Sequence, residues 1–227
     1  MASAVKAQGA HDAIAHKMIE YYGAHAAELN GWTLYVVPTA NPDGMRYGVN
    51  NYREGTAGAY GRCTSQGKDI NRNFSSATFP EHDALKALVD EIKPTIIVDF
   101  HGWYDCYYGN ARIGDFFANA FNAKYAGKPS RYCFVASTGV MDCGSTLGGV
   151  FHGNTTIGRD LFAEWAISQR HIPAALVEYP APDLDRDGTY DAVFDPVAGY
   201  TRIKSASLDL LSDRTRVALS DLFAQYD

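Results

Sequence analysis

Long apolar runs are missing from this sequence of 227 residues: no stretch approaches the roughly 18 to 20 continuous apolar residues that a membrane-spanning helix needs. Clusters of Lys and Arg are missing too. The 20 basic side chains are outnumbered by 26 acidic ones, for a formal charge of −6, whereas binding to nucleic acid or an anionic membrane rests on neutralising phosphate. Both partner classes drop out. The N-terminus, Met1-Ala-Ser-Ala-Val-Lys-Ala-Gln-Gly-Ala-His11, lacks the basic n-region and apolar h-region of a secretory signal. No export is expected from it, and the compartment stays undetermined. Cysteine is scarce: Cys63, Cys106, Cys133 and Cys143 show no CxxC metal spacing and allow three pairings, so buried thiols and one or two disulfides stand as equal alternatives. A Gly-x-Ser-x-Gly elbow is absent as well, which sets aside a serine hydrolase of the α/β type. With 46% apolar and 20% charged residues the chain can bury a full core, and no repeat, low-complexity tract or linker divides it, so residues 1–227 read as one domain.

Periodicity supplies the elements. Ile14, Met18, Ile19, Tyr22 and Ala26 recur at helical spacing between Gln8 and Leu29, and Asn30-Gly31 stops that helix. Trp32 to Val37, cut off by Pro38, and Thr95 to Phe100, introduced by Pro94, read as buried strands. Glu81 to Lys93, Ile113 to Tyr125 and Gly158 to Arg170 read as helices, Ala174 to Tyr179 as a strand, and Thr201 to Gln225 as a last helix. Alternating strands and helices predict an α/β fold, a mixed and mainly parallel sheet with helices on both faces. Two long polar stretches, Thr39 to Ser76 and Gly102 to Arg112, leave strands at the carboxyl edge of that sheet, where open α/β folds bind ligands.

The chemistry-bearing residues fall in those places. Asn41-Pro42-Asp43-Gly44 follows the first strand, and Gly67-Lys68-Asp69-Ile70-Asn71-Arg72-Asn73-Phe74 comes next. His101 stands at the end of the Thr95 strand and Glu178 near the end of another. In this order the set resembles the zinc metallocarboxypeptidases of the carboxypeptidase A type, with their NPDG turn, G-x-D-x-NRNF segment, strand-borne His and late strand-borne Glu. The resemblance runs from the first helix to about Pro182. It implies a hydrolase in which a metal-activated water attacks the C-terminal peptide bond of a peptide or protein. His101 is then a zinc ligand, for which an imidazole on a rigid strand end is suited. Glu178 is the general base, partly desolvated by Leu176, Val177 and Tyr179. Asn71 and Arg72 receive the terminal carboxylate, and Arg62, with Arg53 as the alternative, stabilises the oxyanion. The family's mobile Tyr has no clear occupant here, since no Tyr stands between Tyr132 and Tyr179; His152 or a residue near Gly158 is the nearest substitute. Relatives of this family are often secreted.

The resemblance also implies a His-x-x-Glu pair, the other two zinc ligands, on a strand before the first helix. No such strand precedes the helix in this sequence. His25-Ala26-Ala27-Glu28 matches the spacing but lies at a helix end, on the opposite edge of the sheet from His101 and Glu178. The Trp32 strand alone separates the two edges by roughly 17 to 20 Å, while zinc holds its ligands near 2 Å. His16 and Glu20 fail because their helix packs on a sheet face. The expectation is a carboxypeptidase-like chain that lacks its N-terminal strand, binds zinc weakly or not at all, and hydrolyses little. Its leading alternative is an inactive module that captures peptide or carboxylate ligands through Arg62, Asn71 and Arg72. An exposed sheet edge would invite self-association. Finally, Asp183, Asp185, Asp187 and Asp191, with Gly188, follow the start of a calcium loop, but Phe194 takes the place of its last Glu. A solvated acidic turn is the preferred reading of that stretch.

Overall fold

The computed structural model of the chain describes residues 5–42, 64, 66, 68–102, 106–123, 133–135, 141–142, 160–179, 192–195, 200–203 and 205–226. Helix α1 (Val5–Ala24) buries Ile14, Met18 and Tyr22 along one stripe, while Ile19 points outward. A short 3₁₀ turn (Ala26–Leu29) follows and ends at Asn30, whose left-handed backbone, φ 49°, stops the helix as its side-chain chemistry allows. Helix α2 (Pro80–Ile92) starts with Pro at its first turn and ends at left-handed Lys93. Strand β1 (Ile97–Gly102), β2 (Cys106–Gly109), α3 (Ala111–Ala123), β3 (Cys133–Val135) and β4 (Met141–Asp142) come next. They are followed by α4 (Phe162–Arg170), β5 (Ala174–Tyr179), β6 (Ala192–Asp195), β7 (Tyr200–Ile203) and α5 (Ser205–Gln225). Among the described residues no helix is long and apolar enough to cross a membrane.

The main sheet runs β1-β5-β2-β3-β4, and β6 pairs with β7 apart from it. It is mixed, as expected for this α/β chain: β1–β5 and β2–β3 are parallel, whereas β5–β2 and β3–β4 are antiparallel. Strand β5 is buried at every position, and its alternating side chains divide two cores. Ala175, Val177 and Tyr179 pack with α1, α3 and α5 on one face, while Ala174 and Leu176 join Phe74, Trp165 and α2 on the other. Helices therefore cover both faces, which is why β5 reads as an unbroken apolar run up to Glu178.

Three sequence expectations fail here, one of them the start of the last helix, where Tyr200–Ile203 is β7 and α5 begins only at Ser205. Trp32–Val37 forms no strand among the described residues; its β-rich composition is not enough, because a strand also needs an edge to pair with. Trp32 Nε1 and Asn30 Nδ2 instead donate to the carbonyl oxygen of Phe223, at 3.2 and 3.1 Å. Conversely, the stretch expected as a loop after Gly102 contains β2 and the start of α3. The pairing of β2 with β5 joins segments distant in sequence, a contact that local pattern does not report.

Gly109 closes β2 with φ +104°, and a Cβ there would collide with the backbone carbonyl of Ala174. Asn110 then donates its N–H to that same carbonyl, and its side chain caps α3 through the N–H of Ile113. Gly109→Ala is expected to cost at least about 2 kcal/mol, from the left-handed backbone and the clash together. Urea denaturation of the purified variant measures it, and an unchanged midpoint would contradict this account of the β2–β5 contact.

Candidate functional site

Parallel pairing fixes the first two groups. In the β1–β5 register His101 lies opposite Glu178, so an imidazole and a carboxylate stand side by side at the carboxyl ends of neighbouring strands. Both are buried, at 1% and 3% exposure. Burying such groups is costly without partners, and the partners come from the segment before α2 and from β2. The Tyr108 hydroxyl donates to Glu178 Oε1 at 3.4 Å.

The Asp69–Phe74 segment is pinned from several sides. The Asn71 N–H donates to Asp69 Oδ1 at 3.0 Å, an Asx turn that tightens the loop. His82, fully buried on α2, packs its ring at a tilt against Phe74 and holds the carbonyl of Ile70 through Nε2 at 2.5 Å. The N–H of Phe74 donates to the carbonyl of Asp160, and the Ser75 hydroxyl donates to the Asp160 carboxylate. The amide of Asn71 is then oriented by two contacts. Its Oδ1 accepts the N–H of Phe162 in the first turn of α4 at 3.1 Å, which leaves Nδ2 facing His101 Nε2 at 3.3 Å. Arg72 is about a third exposed; its Nη1 donates to the Asn71 carbonyl at 2.6 Å and lies 3.9 Å from Asp69 Oδ2.

The proton positions follow from these contacts. Asn71 Nδ2 can only donate, so His101 Nε2 must offer its lone pair. Asp99 Oδ2 lies 3.2 Å from the same nitrogen, and it can share that lone pair only as a protonated acid. Burial independently pushes the Asp99 carboxyl above the usual carboxylate range. The consistent arrangement is a neutral imidazole whose Nε2 accepts from both Asn71 and Asp99.

The structure thus brings together His101, Glu178 and Asn71 from the residues expected at the site, with Arg72 beside them and turned toward its own loop. Arg62, Arg53, Asp43, Gly44 and His152 lie outside the described residues, as do Asp183, Asp185, Asp187 and Asp191 of the calcium-loop pattern. His25 and Glu28 are engaged elsewhere: the imidazole stacks on Tyr21 and Glu28 accepts the Tyr21 hydroxyl at 2.8 Å. His16 is paired with Asp12 on the surface of α1. Two groups at the site were missed. Asp99 sits two residues before His101, a spacing that puts both on one face of β1, so the alternation itself could have found it. Tyr108 depends on the non-local β2–β5 pairing and left no sequence signal.

Residues 10–94 match the family model described as zinc carboxypeptidase. The match takes in Asn41, Asn71 and Arg72 and stops short of His101 and Glu178. Over 130 residues the chain is 31% identical to Bacteriocin BCN5 of Clostridium perfringens, a match that covers 48% of this chain and 14% of that protein. The chain therefore spans only a small part of that relative's length. Among solved structures, a metallo-carboxypeptidase from Burkholderia cenocepacia superposes with a TM-score of 0.46 at 15% identity, covering 83% of this chain and 43% of that one.

A raised carboxyl contributes stability that is present below the ordinary carboxylate range and lost as pH rises through the raised folded value. Asp99→Asn keeps a donor to His101 Nε2 without the ionisation. Its denaturant midpoint is expected to match the parent near pH 4 and to exceed it near pH 8. Were Asp99 a carboxylate paired with an imidazolium, the variant would instead lose roughly 3 to 5 kcal/mol at neutral pH.

Proposed function

We propose that this zinc carboxypeptidase-like chain receives the C-terminal carboxylate of a peptide at Asn71 and Arg72 and holds the last amide bond near Glu178. The observation that supports the reading best is the β1–β5 register, which sets Glu178 beside His101 where the carboxyl ends of two strands meet the Asn71 segment. A free carboxylate is best recognised by a guanidinium, which carries five N–H donors in a planar fork. Arg72 is exposed enough to meet it. Glu178, buried but in reach of the Tyr108 hydroxyl, is the group that takes a proton from an attacking water in the hydrolytic reading. Arg62 keeps its proposed role on the oxyanion.

Zinc is the metal this family likeness implies, and the described residues do not fit it. A catalytic zinc site takes three protein ligands, whereas among the described residues no group of three His, Cys, Asp or Glu side chains could hold an ion. His101 spends its Nε2 lone pair on Asn71 and Asp99. No step of the reaction is therefore routed through a metal. This specific arrangement favours capture of a carboxylate ligand over rapid cleavage, so hydrolysis by the chain on its own is expected to be weak or absent. Calcium has no support at the Asp183–Asp191 stretch and is not proposed.

Two measurements test the reading. In calorimetric titration, an N-acetylated dipeptide with a free carboxylate should bind at least tenfold more tightly than its amide, and Arg72→Ala should erase that preference, a loss of about 1.5 to 3 kcal/mol for a charged hydrogen bond. Equal binding of acid and amide would remove the carboxylate role. Zinc titration should show weak binding that His101→Ala leaves largely unchanged. Tight, near-stoichiometric zinc lost in that variant would mean that other ligands complete a metal centre, and a working carboxypeptidase would replace the capture reading.

A further inference from the structure

We propose that Asp160 is a positioning residue of the site: by gripping Ser75 it keeps the Asn71 amide turned so that its oxygen meets α4 and its nitrogen meets His101. The consequence for ligands rests on the carboxylate-capture reading, whereas the consequence for the tautomer of His101 does not. Between Asn71 and Ser75 the chain reverses through left-handed Asn73, φ 52°, whose carbonyl accepts the N–H groups of Ser76 and Ala77 at 3.2 and 2.8 Å. Asn71 and Arg72 form the near limb of this turn. The far limb is held by Asp160, whose carbonyl accepts the N–H of Phe74 at 2.9 Å and whose carboxylate takes the Ser75 N–H, 3.0 Å from each oxygen, together with the Ser75 hydroxyl. Hydrogen bonds to a carboxylate are among the strong ones.

Asp160 itself is left-handed, φ 52°, a backbone that among residues with a side chain Asn and Asp tolerate best. That conformation aims its carbonyl and its carboxylate at the same turn. Two residues further on, the N–H of Phe162 donates to Asn71 Oδ1 at 3.1 Å. Asp160 and Phe162 thus grip the two limbs of the turn from one short segment at the start of α4, and the separation of the limbs is set by that segment.

Apolar packing does not do the same work. Phe74 lies at a tilt against Phe162 and Trp165, with centroids 5.0 and 5.3 Å apart, which attaches the turn to α4 but is indifferent to the way an amide faces. The terminal torsion of an Asn side chain is broad and roughly two-fold, so once the turn shifts from the start of α4 its Oδ1 and Nδ2 can exchange places. Oδ1 would then face His101 Nε2, and Nε2 would have to carry a proton in order to donate it. Arg72, the next residue in the chain, moves with the same limb. Ring packing therefore supplies attachment, and the Asp160 carboxylate supplies orientation.

The test compares the full chain with Asp160→Gly, Asp160→Asn and Ser75→Ala. Gly keeps the left-handed backbone and the carbonyl bond to Phe74 and removes only the carboxylate, while Asn keeps one oxygen for Ser75. The ring nitrogens of His101 are read by nitrogen-15 NMR, and an N-acetylated dipeptide and its amide are titrated calorimetrically. The parent is expected to show an unprotonated Nε2 and an acid preference of at least about tenfold. Asp160→Gly should move the proton onto Nε2 and cut that preference below about threefold, and Asp160→Asn should retain the parent tautomer and stay within about twofold of the parent preference. An Asp160→Gly variant with the parent tautomer and preference would overturn the proposal. So would an Asp160→Asn variant that loses both, or a parent whose Nε2 is protonated. Should Asp160→Gly not fold, Ser75→Ala, which loses the hydroxyl bond alone, is expected to lower the preference by at least about threefold and to populate the second tautomer; no change in either would overturn the proposal equally. A parent without acid preference would remove the carboxylate reading, and the tautomer would still decide the role of Asp160.

Discussion

The parallel pairing of β1 with β5 sets the height and the face of every group at the site, because a strand carries its side chains at fixed steps and alternates them between faces. With Phe100 opposite Val177 and His101 opposite Glu178, the imidazole and the carboxylate share one end of the sheet. A slip of one residue would bring Val177 or Tyr179 opposite His101 and turn Glu178 to the other face. The register is guarded by burial on both sides of β5. Leu176 is committed to the Trp165 core and Val177 to the Tyr107 core, so a slip would exchange two well-packed interiors at once.

On that frame the polar groups form a chain of obligations rather than a loose cluster. Asn71 has its carbonyl oxygen held by the first turn of α4, and its amide nitrogen therefore faces His101. His101, having spent Nε2 as an acceptor, requires Asp99 to be the donor. Burial of Asp99 pushes its carboxyl in the direction that this demands. A buried network of this kind is stabilising only when every member is satisfied, which ties the conformation of the Asn71 loop to the protonation of a residue on β1. His82 closes the arrangement from behind by fixing the Ile70 carbonyl.

Much of this was legible in the sequence, and what was not has physical causes. The helices over Val5–Ala24, Pro80–Ile92 and Ala111–Ala123 follow from apolar stripes and end signals, and β5 from its unbroken apolar run. His101, Glu178 and Asn71 were expected at one place because strand ends and the loops that leave them share an edge. Strand β2 was not legible: Cys106-Tyr107-Tyr108-Gly109 is too short for periodicity, and its partner lies far along the chain. Trp32–Val37 failed in the opposite sense. Its composition suits a pleated surface, but β-propensity measures the fit to neighbouring strands, and among the described residues no strand pairs with it.

Among the described residues β1 pairs with β5 alone, and this bears on the site. A strand paired on one edge opens more readily than one held on both, so the terminal strand of a sheet belongs to its less stable part. Yet this strand carries Asp99 and His101, and the network around Nε2 needs both held within hydrogen-bonding distance of Asn71. The remaining restraint is packing. Phe100 stacks on Tyr179 at 5.4 Å and meets Phe117 edge-on at 5.3 Å, and Tyr179 is anchored in turn through its hydroxyl to Thr215 on α5 at 3.1 Å. Aromatic contacts of this kind contribute about 0.5 to 1.5 kcal/mol each beyond area burial, comparable to the one or two main-chain hydrogen bonds that an unpaired edge forgoes. The site end of β1 is thus held by its ladder to β5 and by a ring stack on the face opposite His101, so the order of the polar cluster depends on side chains that strand alternation places on the other side of the sheet.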